Sequence, residues 1–349
     1  MDDIGHPQMI QDIRRIVLTR EVAQGGMCVV YEAKLLGCEG FAKRVAVKML
    51  RSRWARDERF MRQFIGEAKL VCDLVHENIA QIYQLGRLPG GDYYIVMEFV
   101  DGLSLRDFMT HHFSRGRRIP PPLAVHIASR IARGLAFAHA FKDRQGRPLQ
   151  IVHRDVCPNN ILITTEGLSK LIDFGVAKAL SQTVMDDRWL TGKVRYMSPE
   201  QAARRTVDFR SDIYSLGAVL FEMLSGTTVR PPEANPQTDD FAAMHPPWHR
   251  LPRDTDSELM VLMERALAAD PARRHQDANQ MAWALEYQIY KDGYGPTIQT
   301  VEAYLREHFP DLYRRGPPPP AGRVVRRPAA SADEQAETVA EEMPGPVAR

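Results

Sequence analysis

The stretch from Val152 to Gly175 constrains this chain most. It reads V-H-R-D-V-C-P-N-N-I-L-I-T-T-E-G-L-S-K-L-I-D-F-G. Asp155 and Asp173 lie on either side of a short apolar hairpin, and Asn160 stands between them. The runs Ile161–Ile163 and Lys170–Ile172 predict two short strands anchored in apolar surroundings, which keep the two carboxylates at a fixed separation. Three oxygen-bearing side chains ordered this way suit a hard divalent cation, which binds few protein carboxylates and completes its shell with phosphate and water.

The 349 residues are enough for two lobes and a sizeable core. A net charge of +2 provides no long-range field for nucleic acid or an anionic membrane, so neither is expected as a partner. Cys28, Cys38, Cys72 and Cys157 form no C-x-x-C pair and suggest no disulfide framework. The start, Met1-Asp2-Asp3-Ile4, has no basic or apolar region of a signal peptide. No stretch approaches the ~20 apolar residues of a membrane span. A reduced, cytoplasmic protein is expected.

In chain order, residues 1–15 are a polar lead-in. Short β-prone runs follow at Ile16–Leu18, Val29–Tyr31, Val45–Leu50, Ile79–Leu85 and Tyr93–Val100, with turn formers at Gly37–Gly40 and Pro89–Asp92. One helix, Arg59–Leu74, interrupts them. After Gly102 the pattern turns helical, with an i, i+4 stripe at Leu123, Ile127, Ile131 and Leu135. Further helices are expected at Asp212–Ser225, Asp256–Ala269, Asp277–Tyr290 and Ile298–Tyr313, with an irregular loop from Arg230 to Pro252. The boundaries are 16–100 for a small lobe, 101–290 for a large one and 291–315 for a helical extension. Residues 316–349, rich in Pro, Arg and Ala, read as a disordered tail.

Two further segments bear on the chemistry. Val45-Ala46-Val47-Lys48 places a lysine among apolar strand residues, where it is costly unless paired. Phe64-Ile65-Gly66-Glu67 offers a helix glutamate. With H-R-D, D-F-G and Ser198-Pro199-Glu200, these residues resemble the eukaryotic-like (Hanks-type) bacterial serine/threonine protein kinase family. The resemblance runs from Ile16 to Tyr290 and implies an α+β, bilobal protein kinase fold. It also implies transfer of the ATP γ-phosphoryl group to Ser/Thr hydroxyls of protein substrates, with Mg²⁺, and self-association for autophosphorylation.

By that resemblance Asp155 is the base that orients the incoming hydroxyl, and Asn160 and Asp173 are the Mg²⁺ ligands. Lys48, paired with Glu67, contacts the nucleotide phosphates. Val22, Ala23, Gln24, Gly25, Gly26, Met27 and Cys28 form the phosphate cover. Met97 backs the adenine pocket, the backbone of Glu98 to Val100 is the hinge, and Val30, Ala46 and Leu162 sandwich the ring. Arg154 meets an anion in the segment from Asp173 to Glu200. His153 and Phe174 are packing residues. Glu200 pairs with Arg274, and Asp212 ties a helix start to the catalytic loop.

Several positions depart from the family pattern. Of G-x-G-x-x-G only Gly25 is kept, with Ala23 and Cys28 at the outer positions. Cys157 stands where Ser/Thr kinases carry a lysine, and Lys193 where they carry a threonine. Lys193 is read as supplying the missing charge; unchanged turnover in Lys193→Ala would remove that idea. Thr183 and Thr191 are candidate phosphate acceptors, with Asp186 and Asp187 as built-in substitutes. A second reading, a nucleotide-binding pseudokinase scaffold, stays open on the sequence alone.

Overall fold

A computed structural model describes residues 15–25, 27–51, 54, 57–88, 90–174, 194–314 and 324–325; of Arg59, Gln63, Glu67, Val324 and Val325 it describes the backbone alone. The small lobe is an antiparallel sheet of β1 (Arg15–Gln24), β2 (Cys28–Leu36), β3 (Ala42–Leu50), β4 (Ile82–Arg87) and β5 (Tyr93–Glu98), in the order β4-β5-β3-β2-β1. One helix, α1 (Glu58–Val71), packs on it through Phe64, Ala68 and Val71.

The alternation along β3 decides which face carries chemistry. Val45 and Val47 join Ile16, Ala33, Tyr94 and Val96 in an outer apolar cluster, while Ala46 belongs to the main core on the other face. Lys48 therefore shares the inner face with Ala46, because side chains two apart point the same way. A one-residue slip in register would exchange the two faces.

The large lobe begins with β6 (Gly102–Ser104), α2 (Leu105–Phe113) and α3 (Pro121–His139). Next comes the hairpin β7 (Ile161–Thr164) and β8 (Ser169–Leu171), paired in the order β6-β7-β8. Beyond it lie α4 (Pro199–Ala202), α5 (Arg210–Ser225), α6 (Ser257–Ala266) and α7 (Ala278–Tyr290). Helix α5 is buried on every side from Ser211 to Leu224 and ends at Gly226, whose φ of 75° is the left-handed conformation glycine adopts without strain. The other helices fix themselves to this axis with one apolar face each. Asp256 and Asp277, which the sequence placed inside helices, are the N-caps of α6 and α7.

Three differences from expectation have physical reasons. Ile79 is not part of β4; it bridges in parallel to Leu171, and Ala80 and Asn78 exchange backbone hydrogen bonds with that residue. The expected last helix is α8 (Ile298–His308) followed by a 3-10 turn, Pro310–Tyr313, because Pro310 has no N–H to continue the helix. Val301 and Leu305 bury α8, and the Tyr313 hydroxyl donates to the Thr165 carbonyl (2.7 Å), so the extension docks on the β7–β8 turn. Val324–Val325, within the expected tail, forms a short strand β9 beside Val17 and Ile16 of β1.

Candidate active site

His153, Arg154, Asp155 and Asn160 sit on the loop that enters β7, and Asp173 follows β8. Asp212, at the start of α5 and 0% exposed, holds this loop in place. Its carboxylate accepts the backbone N–H groups of His153 and Arg154 (2.8 Å each) and the His139 imidazole (2.8 Å). That clamp lets Arg154 keep a φ of 63°, a conformation that costs a non-glycine residue about 1–3 kcal/mol unless its surroundings impose it. Asp173, φ 56°, is the second such residue at the site.

His153 spans the two halves. The Asp155 N–H donates to its Nδ1 (3.2 Å), so Nε2 carries the proton and donates to the Ile172 carbonyl (3.0 Å). Burial lowers its pKa, in keeping with a neutral ring that also packs against Phe174 (4.6 Å between centroids). The expected packing residue thus also fixes the strand that leads to Asp173.

The acid–amide pair is direct. Asn160 Nδ2 donates to the Asp155 backbone carbonyl (2.8 Å) and to its Oδ2 (3.0 Å). With Nδ2 engaged, the amide oxygen is the Asn160 atom that suits a cation. Across the cleft Lys48 Nζ lies 2.9 Å from Asp173 Oδ1, the lysine head nearly buried and the carboxylate one-third exposed. Asn160 and Asp173 are oxygen donors on adjoining backbone, since the Ile172 N–H bonds the Asn160 carbonyl (2.9 Å). Such a set fits Mg²⁺, which takes one or two protein oxygens beside substrate phosphate. Glu67 lies on α1, and its side chain is outside the described atoms.

Behind this pair the interior is closed. Met97, Val71, Ala80, Ile82, Ile95 and Phe174 leave about 10 Å³, at the lower limit for one water. Of the residues expected to enclose a ring, Ala46 is buried, and Val30 and Leu162 are half-buried. The Glu98 carboxylate faces the large lobe, where it takes Lys170 Nζ (2.9 Å) and the Gln81 N–H (3.2 Å). The end of β1, Val22 to Gln24, and Gly25 are exposed; Gly25 N–H bonds the Cys28 carbonyl (2.9 Å) and the Met27 carbonyl takes the Arg51 N–H (2.9 Å). Gly26 and residues 175–193, which include Thr183, Asp186, Asp187, Thr191 and Lys193, lie outside the described residues.

The stretch after that segment is anchored many times. Gln201 Nε2 donates to the Arg154 carbonyl (3.1 Å), joining α4 to the catalytic loop. Glu200 takes both arms of the fully buried Arg274 (2.6 and 2.7 Å) and the Ser211 hydroxyl. Burial pushes the Glu200 carboxyl up, but the Arg274 bonds and charge more than reverse this and hold it below its usual range. The Tyr196 hydroxyl donates to Glu222 (2.5 Å), and Arg106 meets both. Sequence reasoning found the Glu200–Arg274 pair but missed Asn78, Lys170, Arg106, Glu222 and Arg230. A polar residue within an apolar helix, such as Glu222 in Leu220–Leu224, was the available signal.

Comparison with known proteins agrees with this geometry. Residues 16–282 match the model of the family described as protein tyrosine and serine/threonine kinase. Among curated relatives, the tyrosine-protein kinase MasK of Myxococcus xanthus is 36% identical over 88% of this chain and 48% of its own. The serine/threonine-protein kinase PknB of Mycolicibacterium smegmatis is 38% identical, over 79% of this chain and 43% of its own. PrkC of Bacillus subtilis is 36% identical, over 76% and 39%. The chain thus spans less than half the length of these relatives. The PknI kinase domain of Mycobacterium tuberculosis superposes with a TM-score of 0.58 at 27% identity, covering 78% of this chain and 95% of that one. With the lysine, the clamped catalytic loop and the two oxygen donors in the family's order, the chain belongs to the Hanks-type bacterial protein kinase family.

Proposed function

We propose that the protein transfers the γ-phosphoryl group of ATP to Ser/Thr hydroxyls of protein substrates, its own chain included. The observation that carries this reading is the Asp155–Asn160 pair, immobilised by Asp212 and set across from Lys48 and Asp173. Bound MgATP supplies the activated phosphoryl group and the cation that neutralises its charge. Asp155 orients the acceptor hydroxyl and receives its proton. Asn160 Oδ1 and the Asp173 carboxylate hold the cation, and Lys48 grips the phosphates. Val22 to Cys28 close over the phosphates with backbone N–H groups, while Met97, Val30, Ala46, Leu162 and the Glu98–Val100 backbone take the adenine. Glu67 steadies Lys48.

Serine and threonine are favoured over tyrosine because Cys157-Pro158-Asn159 lacks the Ala/Arg arrangement of tyrosine kinases. The match to a relative named a tyrosine kinase supports the other acceptor, and phosphoamino-acid analysis separates the two. Cys157, buried and uncharged, supports a scaffold, whereas the complete catalytic loop supports turnover. Four cysteines outside any disulfide, Cys38 and Cys72 exposed, support work in the reducing cytoplasm. Among the described residues no helix is long and apolar enough to cross a membrane.

The test is labelled ATP with a generic protein substrate, wild type beside Asp155→Asn. Loss of the base is expected to slow transfer by about 10²–10⁴. Equal turnover in both, or nucleotide binding without any turnover in the wild type, would sink the catalytic reading.

A further inference from the structure

We propose that Arg230 is a positioning residue for the acceptor side of the site: buried behind the stretch Val194–Met197, it fixes the backbone that leads into α4, whose Gln201 bonds the Arg154 carbonyl next to Asp155, where the acceptor hydroxyl is taken up. This role rests on the kinase reading above. Arg230 lies on the loop after α5 and is 1% exposed. Its guanidinium donates to the Met197 carbonyl (2.5 Å), more distantly to the Val194 carbonyl (3.5 Å), and to the Tyr214 hydroxyl (2.8 Å). The Phe241 ring covers it at 4.2 Å. Tyr214 lies between two guanidiniums, Arg230 at 5.2 Å and Arg274 at 5.0 Å.

Among the described residues these bonds go to two carbonyls and a phenol, and none goes to a carboxylate. A buried charge with no described carboxylate bonded to it, the favourable charge of Glu200 being already paired with Arg274, is poor for stability; an apolar side chain of the same size would serve packing better. What guanidinium supplies is a rigid planar head whose Nη1 reaches both backbone oxygens while the Tyr214 hydroxyl holds Nη2 and so fixes the direction of the plane. Both oxygens lie in the block that ends the activation segment and leads into Ser198-Pro199-Glu200. Val194 and Met197 also bond each other (Met197 N–H to Val194 carbonyl, 3.3 Å) and pack with Ala202 and Phe241. The side-chain hydrogen bonds described for the neighbouring residues go elsewhere: Tyr196 through Glu222, Gln201 through Arg154, Glu200 through Arg274. Removing the guanidinium head therefore loosens Val194 and Met197 while the neighbouring anchors keep the lobe folded.

The full chain is assayed as wild type, Arg230→Met and Arg230→Lys, varying protein substrate and ATP separately, with amide hydrogen exchange on each. Arg230→Met is expected to raise the KM for protein substrate about ten- to a hundredfold, with the KM for ATP within about twofold, as misplaced binding atoms do. Arg230→Lys, able to reach one carbonyl, recovers part of the loss. Exchange quickens at 194–203 and not at 152–174. A substrate KM equal to wild type overturns the role, and so does a fall in kcat alone that follows the folded fraction. Should Arg230→Met fail to fold, a substrate KM unchanged in Arg230→Lys overturns it equally. A wild type without Asp155-dependent turnover removes the kinase reading and this role with it, whereas turnover with an unaltered Arg230→Met variant removes the role alone.

Discussion

The catalytic loop and the β1–β2 loop would both serve the proposed reaction, yet they are held in opposite ways. Around Asp155 several backbone and side-chain groups have fixed partners, two residues keep left-handed backbone, and a fully buried carboxylate clamps the whole. Around Gly25 the backbone is exposed, and among the described residues it is held by few bonds, Gly25 N–H to the Cys28 carbonyl among them. The difference follows from what each must present. Proton acceptance and metal ligation need particular side-chain atoms within a few tenths of an ångström, so residue identity is tightly restricted. The proposed phosphate cover would present backbone N–H groups, which every residue but proline has, so Ala23 and Cys28 can stand at the outer positions of the G-x-G-x-x-G pattern. Clamping the first loop costs conformational freedom; leaving the second free permits nucleotide entry.

The contrast can be broken most forcefully at the clamp. Asp212→Ala strands two backbone N–H groups and the His139 imidazole, and is expected to abolish transfer and destabilise by about 3–5 kcal/mol. Turnover and Tm near wild type would show that the loop keeps its strained backbone unaided. Next in size, Arg274→Met leaves Glu200 buried without its partner; a loss of about 3 kcal/mol is expected, read as a lower denaturation midpoint. That outcome would place the α4 anchor beside Asp212 as part of the rigid half.

Acid acts on the same half. His126 and His275 are buried, and burial lowers both pKa values to about 4. An unfolded histidine titrates near 6.5, so the unfolded chain takes up protons that the folded chain refuses. Stability is therefore full above about pH 6.5 and declines as pH falls towards 4. Glu200, held below its usual range, adds a further loss below about pH 4.3, where an unfolded glutamate protonates. Melting curves of wild type and His126→Gln between neutral and acid pH check this: the variant should show the shallower decline. The smallest effect is expected at Gly25→Ala. An added Cβ would meet nothing nearer than the Cys28 carbonyl at 3.5 Å, an ordinary contact. Tm should stay within about 0.5 kcal/mol equivalent of wild type; a large drop would mean the exposed loop is more constrained than its bonds indicate.

Legibility divides along a related line. Asp155, Asn160 and Asp173 could be read because they lie within one hairpin, and Lys48 because a lysine in an apolar strand demands explanation. Helices α3, α5, α6, α7 and α8 were expected from the sequence, apart from starts set by caps at Asp256 and Asp277 and an end before Pro310, whereas the short α4 was not. Lys170–Glu98 and Arg106–Glu222 were not readable. They join residues 72 and 116 apart, and although Glu222 stands out in its apolar helix, nothing local points to the partner of any of the four. Arg230, at the edge of a Pro-rich loop, reads in sequence as solvent-exposed and is among the most buried side chains in the molecule.

Local order along the chain alone determined the two-lobed architecture and the chemical identity of the reacting groups, since period, turn residues and short-range spacing are properties of the covalent chain. Only the tertiary structure decided which distant charges meet in the interior, because burial is a property of the packed whole. There a guanidinium with no carboxylate partner and a carboxylate binding two N–H groups and an imidazole acquire roles that no neighbouring residue announces.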